Sequence, residues 1–259
     1  MSGFLFSDVV FGPVKSRRLG ISLGINLLPT DYKFCSFNCI YCECGWTRRD
    51  GKEGEKLPGA GLIRHKLEER MKELSREKRI PDAITFAGNG EPTLHPEFPE
   101  IVDITIELRD AYIPAADITV LSNASQIDNE KVFNALQKVD KNILKLDAGT
   151  EEIFQQINRP RANLSLEKIV HYLKKFNGHL IIQSLFLEGV INGEQVSNTS
   201  DKEIYAWINL LKEINPLYVM IYPVDRGTAA QDIRKLSFGE LNRIAGKVES
   251  EGFKTQVFG

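Results

Sequence analysis

The four cysteines of the chain lie close together, and their spacing is suited to metal chemistry. They are Cys35, Cys39, Cys42 and Cys44, and the rest of the 259-residue chain has none. A disulfide framework would spread its cysteines along the chain, whereas clustered thiols in a reducing compartment usually bind a metal. The first three form a C-x3-C-x2-C pattern, and three thiolates on one short loop can surround a compact soft-metal centre.

The cysteine loop leaves two questions open. Three ligands on a four-iron cluster would leave one iron free for a substrate or cofactor. Zinc bound by all four thiols is the alternative, although zinc sites usually pair two separate C-x2-C knuckles. Cys44 is a bystander, a fourth iron ligand or a reactive thiol, and the bystander interpretation is the simplest because a free cysteine is often a small apolar residue. A fourth iron ligand would close the cluster.

A second motif, FAGNGEP, runs from Phe86 to Pro92. Gly88 and Gly90 let the backbone approach a ligand closely. Main-chain carbonyls and Glu91 offer hydrogen-bond acceptors, which suit an ammonium group. A phosphate loop would instead present N–H donors at a helix N-terminus, usually with a lysine.

The elements that position these motifs alternate between strand and helix patterns. Over 64–78, for example, apolar residues at spacings of three and four predict one buried helix face. Asp128 is the predicted N-cap of the third helix, and Gly252 follows the last. The predicted strands are 21–28, 82–87, 118–121, 142–146, 179–186 and 218–222, with a short final strand near 254–257. The predicted helices are 64–78, 97–112, 128–137, 151–157, 165–176, 201–214 and 237–251.

Six βα units in order predict an α/β fold with an open parallel sheet and helices outside. Six units are too few for a closed eight-stranded barrel, so we expect a partial (βα)6 TIM-like barrel, with a flat doubly wound sheet as the alternative. Both architectures place ligands beyond the carboxyl ends of the strands, where both motifs lie. We expect one domain over 1–259, with a core at about 20–225, a C-terminal helix and strand within 237–257, a mobile loop at 45–61 and a second loop at 188–200.

The cysteine pattern, with an aromatic residue before its last cysteine, resembles the radical S-adenosylmethionine (SAM) superfamily. The resemblance implies an enzyme with a [4Fe–4S] cluster held by Cys35, Cys39 and Cys42, and with SAM on the fourth iron. Reduction would cleave the sulfonium to a 5′-deoxyadenosyl radical, which abstracts hydrogen from a substrate. The protein would supply position and exclude water. A reductant such as flavodoxin or ferredoxin is also implied.

The resemblance further implies which residues bind SAM. Residues 88–91 resemble the superfamily's GGE-type motif, with Asn89 in place of the middle glycine. The implied SAM-binding residues are Tyr41, Gly88, Asn89, Gly90, Glu91, Ser122, Asn123, Lys145, Asp147, Gln183 and Tyr222. No catalytic residue is specified. Cys44 and His95 are candidates, and capping of the loop is the simpler interpretation of His95.

The strings CSFNCIYC and GNGEPTLHP resemble a subgroup that includes the tRNA wybutosine-synthesising enzymes and the activases of glycyl-radical enzymes. The wybutosine enzymes normally carry a second set of N-terminal cysteines, which this chain lacks. The substrate is therefore left open between a small molecule and a nucleoside, with a tRNA base included. The alternatives are an activase that installs a glycyl radical on a partner protein, and a non-enzymatic iron–sulfur or zinc-binding protein. Arg48 and Arg49 would bind RNA phosphates or an anionic small molecule, or are solvated loop charges.

Composition argues against several other classes. Lys and Arg number 33 against 35 Asp and Glu, a net charge of −2, which is unlike a nucleic-acid coat or a membrane-surface binder. No apolar stretch approaches the ~18 residues of a membrane span. The first eight residues lack the features of a secretory signal. We therefore expect a cytoplasmic protein with no membrane partner.

Overall fold

A curved sheet of eight strands forms the framework of the computed structural model, which describes residues 3–47, 57–161 and 164–259. The strands are β1 (Val10–Ser16), β2 (Gly20–Ile25), β3 (Ala83–Phe86), β4 (Asp117–Ser122), β5 (Lys141–Lys145), β6 (Ile181–Leu185), β7 (Leu187–Ile191), β8 (Glu194–Ser197), β9 (Tyr218–Tyr222), β10 (Ile233–Lys235) and β11 (Thr255–Val257). The helices are α1 (Ala60–Arg76), α2 (Phe98–Tyr112), α3 (Glu130–Gln137), α4 (Glu151–Ile157), α5 (Leu166–Lys174), α6 (Asp201–Ile214) and α7 (Phe238–Ser250).

The large sheet has the order β1-β2-β3-β4-β5-β6-β9-β11. All its neighbouring pairs are parallel except β1 with β2. Its central strands are covered on both faces, so every residue of β3 and β6 is buried, as is typical of parallel sheets. The sheet curls into an open half-barrel with helices outside, which confirms the predicted partial TIM-like barrel over the flat alternative.

Helix periodicity explains how the outer layer attaches to the sheet. On α1 the buried residues include Ile63, Leu67, Met71 and Leu74, the stripe that the apolar spacing predicts. Helix α6 also buries one face. Its Trp207 is 1% exposed, and the indole N–H donates to the carbonyl of Leu146 at 3.0 Å. The six βα units therefore follow the predicted order, and β11 pairs with β9 in parallel.

The predicted loop at 188–200 is wrong, because this segment forms a β-hairpin. Strands β7 and β8 pair antiparallel, and β10 adds to the other side of β7 in a separate three-stranded sheet. The hairpin turns at Asn192 and Gly193, which have φ of +53° and +85°. An Asn-Gly pair between short apolar runs is the usual sequence signal for such a turn.

Some predicted boundaries are also wrong. An additional strand, β1, pairs antiparallel with β2, and Gly12 and Pro13 interrupt the apolar pattern that would have revealed it. The first predicted strand ends at Ile25, because the Asn26 side chain bonds to the main chain of Leu28 in a turn. Helix α1 begins at Ala60 rather than at 64. The N-cap of α3 is Asn129 rather than Asp128.

Two further expectations concern segments rather than elements. Residues 48–56 of the predicted loop at 45–61, with Arg48 and Arg49, lie outside the described residues. Across the part of the chain that the structure does describe, none of the helices combines the length and the apolarity that crossing a membrane requires.

Candidate functional site

The cysteine loop follows β2 and is fixed to its surroundings by main-chain hydrogen bonds. The N–H of Ile40 donates to the carbonyl of Ile157 at 3.0 Å. Within the loop, the N–H of Cys42 donates to the carbonyl of Cys39 at 3.2 Å. All four cysteines are free thiols, and all four line one cavity at the carboxyl ends of the strands.

The second motif is packed directly against this loop. The N–H of Phe34 donates to the carbonyl of Asn89 at 2.8 Å, and the N–H of Glu91 donates to the carbonyl of Phe34 at 3.1 Å. Gly88 packs against Asn26, whose Oδ1 would lie 2.3 Å from a Cβ added to Gly88. The two motifs therefore form one structural unit, although about fifty residues of chain separate them.

Polar donors surround the sulfur atoms of two cysteines. The N–H of Phe37 and Nδ2 of Asn123 lie 3.4 and 3.7 Å from Sγ of Cys35. Nδ2 of Asn158 lies 3.6 Å from Sγ of Cys39. Such donors stabilise negative charge on sulfur, and hydrogen bonds of this kind also tune a cluster bound there. Asn158 was not identified by the sequence analysis, because it follows α4 in a segment without a motif.

The four thiols differ in acidity. Burial raises the pKa of the Cys35 thiol to about 12, against the opposing effect of the nearby Lys33 ammonium. Burial also raises the pKa of Cys39. The interaction with Cys44 and the positive charge of Lys33 lower the pKa of Cys42 despite burial. The interaction with Cys42, together with burial, raises the pKa of Cys44, whose thiol donates to the carbonyl of Gly88 at 3.6 Å.

Lys33 is a buried cation beside the cysteines that the sequence analysis did not single out. It is 3% exposed, and its Nζ donates to the carbonyl of Gly45 at 3.2 Å. Burial disfavours its charge, but Cys42, Cys35 and Cys39 outweigh that effect and raise its pKa. A buried ammonium next to thiolates offsets part of their negative charge.

Glu91 accepts hydrogen bonds from four donors. Its Oε1 accepts from Ser122 Oγ at 2.8 Å and from both the N–H and the hydroxyl of Thr93 at 3.1 and 2.6 Å. Its Oε2 accepts from the N–H of Asn123 at 2.6 Å. Burial raises the pKa of this carboxyl, and the donors oppose that shift. The carboxylate thus joins the ends of β3 and β4, with one edge lining the cavity.

The Asn89 side chain turns away from the cavity. Its Oδ1 accepts from the N–H of Phe6 at 2.9 Å, and its Nδ2 donates to the carbonyls of Phe6 and Pro29 at 2.9 and 2.8 Å. Asn89 is fully buried in these contacts. The residue in place of the middle glycine therefore anchors the segment before β1, and only its main chain faces the cysteine loop.

A buried network lies beneath Cys39. The Tyr41 hydroxyl donates to Asp147, and Lys145 Nζ lies 2.7 Å from the Tyr41 oxygen and 3.3 Å from Asp147 Oδ2. Asn158 Nδ2 and the N–H of Leu185 also donate to Asp147, at 2.8 and 2.9 Å. Burial opposes the charge on Lys145, but Asp147 outweighs it and raises the pKa of the lysine. Burial and Asp147 together raise the pKa of Tyr41.

His95 lies outside the cavity and bonds to the main chain on both sides. Its Nδ1 accepts from the N–H of Glu97 at 3.1 Å. Its Nε2 must therefore carry the proton, and it donates to the carbonyl of Pro58 at 3.1 Å. Burial lowers the pKa of the imidazole. These contacts are those of a side chain that caps a loop.

The cavity brings together most of the candidate residues. It encloses about 280 Å³. The sequence gives sixteen candidate residues, which are three cluster ligands, eleven SAM-binding residues, and Cys44 and His95. Thirteen of them line the cavity, and Asn89, Asp147 and His95 do not. It also has lining residues that the sequence analysis did not select, which are Arg17, Arg18, Lys33, Phe37, Glu43, Ala87, Leu121, Leu185, Pro223, Val224 and Asp225. Strand-end position could have indicated Pro223 to Asp225, but nothing local indicates Arg18, which lies before β2.

The described residues contain no preformed site for a single metal ion. Within residues 3–47, 57–161 and 164–259, no three His, Cys, Asp or Glu side chains converge closely enough to hold one. A mononuclear zinc site requires thiolates at about 2.3 Å from a common centre. A multi-iron cluster binds each thiolate at a different iron and needs wider separation.

With this geometry described, comparisons with known proteins identify the class. The profile of the radical SAM superfamily matches residues 30–195, which include the cysteine loop, the second motif and strands β3 to β7. The chain belongs to the radical SAM superfamily. A relative, a UPF0026 protein from Methanocaldococcus jannaschii, is 36% identical over 212 residues, or 80% of this chain. The chain spans 61% of the length of that protein.

Solved structures share the fold at low sequence identity. A radical SAM methyltransferase from Sphaerobacter thermophilus has a TM-score of 0.66 and 16% identity, over 91% of this chain and 65% of that one. Archaeal TYW1 has a TM-score of 0.54 and 15% identity, over 88% of this chain and 71% of that one. These likenesses establish the architecture, and the predicted superfamily resemblance is confirmed.

Proposed function

We propose that Cys35, Cys39 and Cys42 hold a [4Fe–4S] cluster, and that SAM binds in the adjoining cavity. The observation that carries this proposal is that these cysteines, the glycine turn at 88–90 and the polar ends of β4, β5 and β6 line one cavity. Bound together, the cluster and SAM supply one-electron cleavage of the sulfonium and a 5′-deoxyadenosyl radical that abstracts hydrogen from the substrate.

The donor set supports this cofactor. The Cys42 thiolate has a low pKa, and Lys33 provides a positive charge for the other thiols as they lose their protons to iron. The Cys44 thiol donates to the carbonyl of Gly88 at 3.6 Å, and Cys44 lies outside the C-x3-C-x2-C pattern. We assign the three ligands to the other cysteines for this reason, which leaves one iron without a ligand from the chain.

The residues of the chain have distinct roles in this proposal. The carbonyls of the turn at 88–90 would accept from the ammonium of SAM, and Glu91 holds that turn against β4. Lys145 and Tyr41 would orient polar groups at the end of β5. Apolar lining residues, which include Phe37, Leu121 and Leu185, would exclude water from the reacting atoms.

The substrate proposed here is a small molecule or a nucleoside, and the electron donor is a protein such as flavodoxin or ferredoxin. The four free thiols support a reducing compartment, for which we propose the cytoplasm. A tRNA base would require contacts with the RNA backbone around the cavity, and a glycyl-radical partner would require a polypeptide to enter it.

Anaerobic reconstitution with iron and sulfide, followed by reduction with dithionite in the presence of SAM, tests the proposal. We expect a four-iron cluster and formation of 5′-deoxyadenosine, measured by chromatography with mass detection. A redox-silent metal, or a reduced cluster that leaves SAM intact, would refute the proposal. A radical that appears on an added partner polypeptide would identify an activase.

Cysteine variants test the ligand assignment separately. Cys35→Ala, Cys39→Ala and Cys42→Ala should each lose the bound iron, because two thiolates cannot retain the cluster. Cys44→Ala is the matched control and should keep its iron, since Cys44 lies outside the C-x3-C-x2-C pattern. Equal loss of iron from Cys44→Ala would show that the fourth thiol is a ligand and that the cluster is closed.

A further inference from the structure

A guanidinium group without a carboxylate partner lines the cavity. Arg18 lies in the turn between β1 and β2, and its Nη1 donates to Oε1 of Gln183 at 2.6 Å. Its Cζ lies 4.4 Å from the centroid of the Tyr222 ring. No ion pair within residues 3–47, 57–161 and 164–259 includes Arg18, and its Nη2 and Nε have no acceptor there.

The other charged side chains of the cavity lining have partners, and among them Lys33 donates to the carbonyl of Gly45 while Glu91 accepts from Ser122 and Asn123. Arg17 pairs with Asp225 at 3.3 Å. Lys145 pairs with Asp147 at 3.3 Å, and Glu43 pairs with Arg226 at 3.6 Å. Arg18 is therefore a positive charge that the protein positions by an amide and an aromatic ring and leaves without a counter-ion. A fixed guanidinium with free N–H groups favours bidentate binding of a carboxylate or a phosphate.

The approach of Arg18 distinguishes it from the cysteine end of the cavity. The turn that carries it precedes β2, whereas the cysteine loop follows β2, so the two enter the barrel from opposite ends of that strand. A strand of six residues is about 20 Å long, and the Arg18 side chain extends along part of that length toward the carboxyl end of the strands. Gln183 lies within β6, level with Lys145 and Met220 on the neighbouring strands. Arg18 thus approaches the cavity from the amino end of β2 and meets Gln183 of β6 there.

We propose that Arg18 binds an anionic group, a carboxylate or a phosphate, of a small-molecule substrate. Gln183 and Tyr222, which the superfamily resemblance also implies as SAM-binding residues, act as positioning residues that fix the plane of the guanidinium. This inference rests on the proposed function, since it assumes that SAM occupies the cysteine end of the cavity. It assigns to the second molecule a negative charge that faces Arg18.

Anion binding by the anaerobically reconstituted holoenzyme tests the inference without use of turnover. Inorganic phosphate and succinate are titrated separately by calorimetry at constant ionic strength, into wild type, Arg18→Gln, Arg18→Lys and Lys15→Gln. Lys15 lies in the same hairpin outside the cavity lining, so its variant is the control for loss of one positive charge. SAM affinity is measured on the same samples.

We expect wild type to bind either phosphate or succinate, and Lys15→Gln to bind the same probe with the same affinity. The affinity of Arg18→Gln for that probe should be at least about tenfold lower. Arg18→Lys should be intermediate, because an ammonium cannot bind two oxygens in the same geometry. The affinity of Arg18→Gln for SAM should stay within about twofold of wild type. Binding of phosphate indicates a phosphorylated substrate, and binding of succinate indicates a carboxylic acid.

Three results would overturn the inference. The first is that wild type binds neither probe. The second is that Arg18→Gln and Lys15→Gln bind the probe with equal affinity. The third is that Arg18→Gln loses affinity for SAM, which would assign the arginine to SAM. Should Arg18→Gln unfold, as thermal melting would show, Arg18→Lys against wild type decides the question in the same way. Wild type that forms 5′-deoxyadenosine but binds no probe would refute this inference and leave the proposed function intact.

Discussion

Gly90 lies against the carbonyl oxygen of Phe34 so closely that a Cβ on Gly90 would be 1.8 Å from that oxygen. The φ of Gly90 is +146°. A side chain cannot be accommodated unless one of the two backbones moves, because the obstacle is main chain rather than a flexible side-chain end. This contact fixes the second motif against the cysteine loop, one residue before the first cysteine.

We therefore expect Gly90→Ala to lower the free energy of unfolding by about 2–4 kcal/mol and to weaken iron retention. Gly246 is the matched control: it lies in α7 with nothing within 4 Å of an added Cβ. Gly246→Ala should raise stability by about 0.5–1 kcal/mol, since alanine favours a helix. Urea denaturation and iron analysis measure both effects. Equal stability of the two variants would show that the close contact with Phe34 is unimportant.

Glu91 is expected to act on the architecture of the site as well as on SAM. Glu91→Gln replaces one acceptor oxygen by an NH2 group, which faces donors that already point at the carboxylate. We expect a loss of about 2–3 kcal/mol in the free energy of unfolding from the orphaned donors. Ser122→Ala removes one donor only and should cost about 0.5–1.5 kcal/mol. If Glu91→Gln keeps full stability and loses only SAM affinity, the carboxylate acts on SAM directly.

The pair of Lys145 and Asp147 should show strong coupling because the Asp147 side chain is fully buried and the Lys145 side chain is only 16% exposed. Loss of one buried partner leaves an uncompensated charge, so Lys145→Met or Asp147→Asn alone should cost about 3 kcal/mol. The double variant should cost less than the sum, with a coupling of about 1–3 kcal/mol. The exposed pair of Lys174 and Glu213, at 2.9 Å, is the control and should couple by less than about 1 kcal/mol. Additive effects at the buried pair would contradict this prediction, as measured by urea denaturation.

His95 should make stability depend on pH. Folding lowers its pKa, so the native state favours the neutral ring, which accepts from the N–H of Glu97. The stabilisation is full above the unfolded pKa of about 6.5 and falls as the pH is lowered below it, because the unfolded chain then binds the proton more readily. His95→Asn should flatten this part of the profile of the unfolding midpoint against pH. His65→Gln, at an exposed position on α1, is the control for loss of a histidine. If the unfolding midpoint of His95→Asn depends on pH as that of wild type does, the capping role of His95 is contradicted.

Much of the fold was predictable because its signals are local. Apolar periodicity predicted the βα units and their order, and right-handed crossovers then dictated a parallel sheet. Ligand sites after the strand ends could be predicted from topology alone. The hairpin at 187–197 was missed although its Asn-Gly turn is a local signal, and β1 was missed because Gly12 and Pro13 obscure its pattern.

The sequence by itself determined three sets of candidates: the cysteine ligands, the glycine turn and the polar residues at the strand ends. Spacing and alternation specify each set because they act within a few residues. Only the tertiary structure decided which side chains enter the cavity. Asn89 turns to Phe6, Asn158 reaches Cys39 and Arg18 reaches Gln183, over sequence separations of 83, 119 and 165 residues. No local pattern encodes such contacts, because they exist only once the curvature of the sheet brings distant segments together.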